Sequence, residues 1–339
     1  LKKEEIMTVV RHLIIQETDP APHLVKAWHS EQKKKSTVKP IARSLNEWGD
    51  AWLQAMGSLR GHQTLKNYGV MLAHLADYQT DHKRLKPEQL TNTWNESFLQ
   101  WLIDARQLRE NSVGAVNKNL RQFCKWLSKQ GGVQVPADWQ DFRVYASPPQ
   151  IFFLEIQELE QFYHHDFGQY TGMARARDLF CFQARTGQRI RDLKRTRDFM
   201  IMNNMIHMRA HKNRKDIVIP FNPMSREIWE RYDGQLPFKS DQRYNRALKD
   251  ALRTAGIDRT VELVTYRGKD KIYEHVPLWQ VITNHDAIKT YCTNGIELGM
   301  SVLDLVTITG KTKRTLENRY IGKSTEQSAF ESAKRAFGN

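Results

Sequence analysis

Between Leu45 and Gln130 apolar and aromatic side chains return at three- and four-residue steps, and that period admits one stable arrangement, a bundle of amphipathic helices. Leu65, Tyr68, Leu72, Leu75 and Tyr78 form one stripe behind a candidate cap at Thr64, and Trp94, Phe98, Trp101 and Leu102 form a second. Val113, Val116, Leu120, Phe123 and Leu127 form a third, opening after Ser112 and stopping at Gly131-Gly132, a helix-ending pair. With Leu45–Met56 these make four helices. The stripes read as core, not as a cofactor box. Arg60, Lys66, Lys118, Arg121 and Lys125 fall off them, on faces open to solvent or to a polyanion.

On either side of the bundle the pattern changes. Residues 1–44 hold a short apolar helix candidate from Met7 to Ile15 and then a basic stretch from Ser30 to Pro40 with no period, which reads as an N-terminal arm and linker. Residues 133–150 contain Pro136, Pro148 and Pro149 and mark a hinge between a domain at 45–132 and a second at 151–339. In the second domain, Phe199 to Met202, the turn Asn203-Asn204 and Met205 to Ala210 predict a hairpin, and Asp216 to Pro220 a third antiparallel strand. The rest reads as helical. The expected fold class is mainly α with a small antiparallel β-sheet, an α+β arrangement.

Charge narrows the partners. Lys and Arg total 52 against 38 Asp and Glu, a formal net charge of +14 over 339 residues, which points to a polyanion. With 9 Trp, 14 Phe and 11 Tyr the chain has too much packing material for a disordered basic tail. No apolar run has the length of a membrane span, so a cytoplasmic protein is expected. Cys124, Cys181 and Cys292 are too far apart for a disulfide framework or a CxxC metal site. Phosphate-loop, dinucleotide-fold, zinc-protease and serine-hydrolase signatures are absent.

What remains is a set of segments in one order: Ala184-Arg-Thr-Gly-Gln-Arg-Ile-Arg-Asp-Leu193, the basic turn His211-Lys-Asn-Arg-Lys215, Asn284-His-Asp-Ala-Ile-Lys-Thr-Tyr291, and Ile308-Thr-Gly-Lys-Thr-Lys-Arg-Thr-Leu-Glu-Asn-Arg-Tyr-Ile321. Over residues 45–325 this order resembles the tyrosine recombinases, the integrases of phages and conjugative elements. The resemblance implies a helical core-binding domain followed by a catalytic domain. It makes Arg189 the phosphate-binding arginine with Asp192 as supporting acid, Lys212 the β-hairpin lysine, His285 the histidine of the H-x-x-R box and Tyr320 the nucleophile. Two positions depart from the pattern: Ile288 stands where the second arginine belongs, and Lys311 where a His or Trp usually follows the glycine. Lysine offers a single ammonium and isoleucine nothing in place of a planar fork that grips two phosphate oxygens.

The implied activity is site-specific DNA cleavage and rejoining through a 3′-phosphotyrosyl intermediate, for integration or excision of a mobile element. It requires no metal or nucleotide cofactor. By the same resemblance Arg189 stabilises the phosphorane, Lys212 protonates the leaving 5′-oxygen, His285 assists proton transfer or binds a nonbridging oxygen, and Lys311 supplies part of the missing charge. Lys66, Lys118, Arg121, Lys125, Arg214 and Lys289 are expected to contact DNA. The implied partners are double-stranded DNA, a homotetramer on DNA assembled from monomers or dimers, and an accessory DNA-bending protein, in a nucleoid-associated setting. Residues Gln327 to Phe337 are the candidate helix exchanged between neighbours.

Two alternatives stay open: a recombinase-like regulator that binds DNA without cutting it, and a topoisomerase-like nicking and closing enzyme. For individual residues, Arg189 also reads as an ion-pair partner of Asp192, and Lys212 as a non-specific phosphate contact. The charge makes a direct prediction. Duplex affinity falls steeply with salt, by about 0.9 log units per log unit for each neutralised phosphate; a flat dependence in a fluorescence-anisotropy titration contradicts this basic-surface reading.

Overall fold

The computed structural model describes residues 43–130, 132–210, 216–267 and 270–322. The arm expected at 1–44, apart from Arg43 and Ser44, lies outside the described residues, as do Lys212, Arg214 and the segment Gln327 to Phe337. The architecture is mostly helical with a small antiparallel sheet. The chain separates into two compact units, one reaching to Ser147 and the other starting at Pro148.

The first unit is built on α1 (Leu45–Met56), α2 (His62–Asp81), α3 (Asn92–Asp104) and α4 (Glu110–Leu127). Ser44 and Glu47 close a capping box that starts α1. Helix α2 starts behind Gly61, three residues before the start implied by the expected Thr64 cap, and α4 likewise starts three residues earlier than Ser112 suggests. In both cases a polar first turn lies ahead of the apolar stripe and carries no period of its own.

The aromatic excess forms this core. Trp52 stacks on Tyr68 with ring centroids 4.2 Å apart and meets Phe123 at 5.2 Å. Two buried polar side chains satisfy each other: Asn95 Nδ2 donates to Asn117 Oδ1 at 2.8 Å, and Asn117 Nδ2 to Asn95 Oδ1 at 3.1 Å and Arg143 O at 2.8 Å. Residues beyond α4 turn back onto the bundle, with Phe142 fully inside and Val133, Val135, Trp139 and Tyr145 against it.

The second unit is arranged around α6 (Thr171–Thr186), which is buried along most of its length. Around it lie α5 (Ile156–His164), α8 (Pro223–Arg231), α9 (Asp241–Thr254) and α11 (Asp286–Glu297), with the short helices α7 (Ile190–Leu193) and α10 (Leu278–Val281) as links. The carboxylate of Asp178, within α6, has lost its water but receives Arg177 Nε at 2.8 Å, Arg231 at 2.9 Å and Tyr232 Oη at 2.7 Å. Such a charge is tolerated only because it is paired this fully.

Strands β1 (Met200–Met202), β2 (Met205–Arg209) and β3 (Asp216–Pro220) form an antiparallel sheet in that order, with Met202 opposite Met205 and Ile206 opposite Ile219. Asn203 and Asn204 both have positive φ, 48° and 61°, as a tight hairpin turn demands. Ile206, Met208, Ile217 and Ile219 point to the core while Met200, Met202, Met205 and Val218 are exposed. A second hairpin, β4 (Thr260–Arg267) with β5 (Asp270–Pro277), interrupts the region read as helical. Only its base packs on the core, through Val261, while Ile272 and Tyr273 face solvent. It therefore lacks the alternation of a half-buried strand. Helices α12 (Val302–Thr309) and α13 (Lys313–Arg319) finish the described chain.

Packing in the first unit is tightest at Gly114 in α4, where a Cβ would lie 1.8 Å from the carbonyl oxygen of Tyr145. Gly114→Ala is expected to destabilise the protein by about 1–3 kcal/mol through overpacking, read as a lower urea midpoint; an unchanged midpoint would show that the 142–147 segment yields freely.

Candidate active site

Four of the residues singled out in the sequence come together in the second unit. Helix α6 stops at Gly187, whose φ of +69° turns the chain left-handed. Arg189 then caps α7, with its side chain one-quarter exposed and NH1 3.8 Å from Asp192 Oδ2. Gly187 is also a point of close approach: a Cβ there would sit 2.6 Å from a ring carbon of Tyr291 on α11 and 3.0 Å from the methyl of Thr309 on α12. Glycine thus serves twice, for its backbone conformation and for its missing side chain.

His285 stands at the N-terminus of α11. The turn before it is held by Asp286, whose Oδ2 accepts from Thr283 N at 2.7 Å and Thr283 Oγ1 at 2.6 Å. Asp286 was missed in the sequence. The Thr283-Asn-His-Asp286 spacing is a helix-start signature that would have found it. The imidazole Nε2 lies 3.0 Å from the phenolic oxygen of Tyr320. Tyr320 ends α13, is 7% exposed, and has its main chain fixed by Thr293, whose Oγ1 donates to Tyr320 O at 3.2 Å and accepts from Gly322 N at 3.0 Å. Lys311 follows the left-handed Gly310 that ends α12. Its ammonium lies 4.8 Å from the centre of the Tyr320 ring, a cation–π distance.

Ile288 is fully buried in a small cluster with Cys292, Leu305, Leu316 and Tyr320. The position where the resemblance places an arginine is therefore apolar core. Lys289, one residue on, points elsewhere: its Nζ pairs with Asp286 Oδ1 at 2.7 Å and donates to Gln150 O at 3.0 Å. Among the bundle residues expected on DNA, Lys66, Lys118 and Lys125 are exposed, whereas Arg121 directs its guanidinium to the carbonyls of Gln140 and Phe142. Cys124, Cys181 and Cys292 are free and buried. Among the described residues no group of three or more His, Cys, Asp or Glu is placed to hold a metal ion, and no helix is long and apolar enough to cross a membrane.

Burial acts on both partners of the Tyr320–His285 bond. Desolvation raises the phenol above its ordinary value, opposed by the nearby Arg189. It also lowers the imidazole; Lys289, Lys311 and Arg189 add to that lowering, and Asp286 opposes it. Each shift favours the neutral form. The pair rests as a protonated phenol beside a neutral imidazole.

A pH prediction follows. The unfolded chain binds the His285 proton near the ordinary value of 6.5, the folded chain only at lower pH. This residue's contribution to stability is therefore fully present above 6.5 and lost as pH falls from there to the depressed folded value. His285→Asn should flatten that part of the stability–pH curve measured by urea unfolding, and a C2-proton NMR titration should place the His285 midpoint below 6.5. A midpoint at or above 6.5 contradicts the burial argument.

A family model described as the phage integrase SAM-like domain matches residues 44–130. Sequence comparison with curated proteins gives no match. Among solved structures, the Tn1549 transposon integrase in complex with a circular intermediate DNA aligns with a TM-score of 0.64 at 15% identity, over 86% of this chain and 99% of that one. A lambda integrase dimer bound to a COC′ core site aligns with a TM-score of 0.59 at 16% identity, over 80% and 96%. A lambda integrase tetramer bound to a Holliday junction gives 0.58 at 15%, over 88% and 80%. Identity this low speaks for the fold alone. The chain shares the fold of these integrases, and residues 44–130, in its first unit, match the phage integrase SAM-like model.

Proposed function

We propose that this protein is a site-specific DNA strand transferase of the integrase type, acting through Tyr320. The observation that carries the reading is the 3.0 Å contact between the Tyr320 phenol and His285 Nε2, in a pocket where Arg189 and Lys311 are close enough to act on both groups. The phenolic oxygen attacks the scissile phosphorus in line and its proton passes to His285. The bond from phosphorus to the 5′-oxygen breaks, the 5′-oxygen takes a proton from an acid, for which Lys212 is the candidate, and a 3′-phosphotyrosyl link remains. Attack by a 5′-hydroxyl reverses the steps and rejoins a strand. Arg189 and Lys311 hold the charge that grows on the nonbridging oxygens.

Two cations of different kind would then do what the family pattern assigns to a pair of arginines. One preorganised stabiliser is worth roughly 10²–10³ in rate, so an enzyme with Ile288 is expected to be slow. Lys66, Lys118 and Lys125 offer phosphate contacts from α2 and α4. The likeness to integrases of a transposon and a phage, solved with a circular intermediate, a core site and a Holliday junction, supports duplex DNA as substrate, action on a mobile element and a tetramer on DNA as the working assembly. An accessory bending protein and a nucleoid setting belong to the same reading.

One observation favours the binding-only reading: the buried, apolar Ile288 grips no phosphate. A single experiment separates the two. A duplex selected by the protein from a random pool is rebuilt as a nicked suicide substrate, and the covalent protein–DNA adduct is followed on a denaturing gel. The expected result is an adduct that vanishes in Tyr320→Phe and falls about 10²-fold in Lys311→Ala. A tightly bound duplex without adduct assigns the protein to binding alone. Relaxation of a supercoiled plasmid without exchanged products assigns it to nicking and closing.

A further inference from the structure

Between the two turns that present Arg189 and Lys311 lies a side chain that the proposed chemistry has not used. Gln188 is 1% exposed. Its Nε2 donates to Thr186 O at 2.9 Å, within its own turn, and to Ile308 O at 2.8 Å, in the last turn of α12. Its main-chain oxygen accepts Gln183 Nε2 at 3.2 Å, and Gln183 Oε1 accepts the Tyr244 hydroxyl at 3.1 Å. Both carboxamide orientations are fixed by their partners: two carbonyls can only accept, so the nitrogen of Gln188 faces them, and Gln183 must turn its oxygen toward the phenol. The result is one buried, directional chain of hydrogen bonds from α9 through α6 to α12.

We infer that Gln188 is a positioning residue that sets the spacing between Arg189 and Lys311. The inference rests on the proposed strand-transfer reading and adds to it the device that registers its two cations. Arg189 follows Gln188 directly, and Lys311 follows Ile308 by three residues, across the left-handed Gly310. Beside the bridge, the T-G-Q-R turn approaches the end of α12 through Gly187 and the methyl of Thr309, an apolar contact that resists separation but not sliding. A bidentate donor facing two carbonyls resists both. Misplacement of a catalytic group by about 1 Å is enough to cost on the order of 10²-fold in rate.

The test is a double-mutant cycle on single-turnover cleavage of the nicked suicide duplex at saturating protein. Gln188→Met keeps the length and near volume of the side chain and removes both donors. It is expected to slow adduct formation about 10- to 100-fold while duplex affinity stays within about twofold, because no DNA contact is lost. In a Lys311→Ala background, where the spacing no longer matters, the same substitution should slow cleavage less than about threefold. Tyr244→Phe, which removes only the far hydroxyl and keeps the ring, should show the same background dependence with a smaller effect, about two- to fivefold, and reads the bridge even if Gln188→Met folds poorly. Equal slowing in both backgrounds, or none in either, overturns the inference while leaving the strand-transfer reading in place. A wild-type protein that forms no Tyr320 adduct overturns that reading, and the inference with it.

Discussion

The contact of Gly187 with the ring of Tyr291 and the methyl of Thr309 decides where three helices of the second unit can meet. Helix α6 is buried over its C-terminal part, from Asp178 to Ala184 and at Thr186, so its end cannot shift sideways without disturbing the core. The left-handed glycine ends it within one residue and sends Arg189 back toward α11. Any side chain at that point would push Tyr291 and Thr309 away and carry α12 with them, and Lys311 follows α12 directly. The site is therefore registered from a backbone surface instead of from a side chain, which makes it stiff. Close-packed interiors pass on small displacements undiminished.

Electrostatics complete what packing begins. The phenol and imidazole are buried enough to stay neutral, yet they lie among Arg189, Lys289 and Lys311. Lys289 is already engaged with Asp286 and Gln150, whereas Arg189 and Arg319 act on the Tyr320 phenol and Lys311 lies over its ring. A low-dielectric pocket strengthens the attraction of such cations for an arriving anion. Charge developing on a phosphate would be met by groups already in place, which is how preorganised sites lower barriers.

Much of this was legible in the residues themselves. The four helices of the bundle, the hairpin at Asn203-Asn204 and the strand from Asp216 to Pro220 follow from period and turn chemistry, and the structure has them in those places. The order of the boxes pointed to Arg189, His285, Lys311 and Tyr320 as neighbours. Three things were not legible. The β4–β5 ribbon buries too little to leave a pattern. The packing of Phe142 back onto the bundle depends on a contact that no local period encodes. The fate of Lys289 turned on Asp286, three residues away on the same helix face, and on a carbonyl 139 positions earlier in the chain.

Helix α11 has two faces. Ala287 belongs to the large core of the second unit, whereas Ile288 and Cys292 belong to the small cluster that receives Leu316 and Tyr320. Leu316 is the one buried side chain within α13. Among the described residues, α13 and the turn after it are held by Leu316 and Tyr320, by Ile321 against the same cluster, by the Thr293 hydroxyl and by the close approach of Gly322 to Phe153 and Ile151. Local opening scales with what the opening exposes, and release of α13 would expose this small cluster while the large core stays closed. Under the proposed strand-transfer reading, withdrawal of Tyr320 would then be a local event, set by this small cluster and not by the larger core behind it.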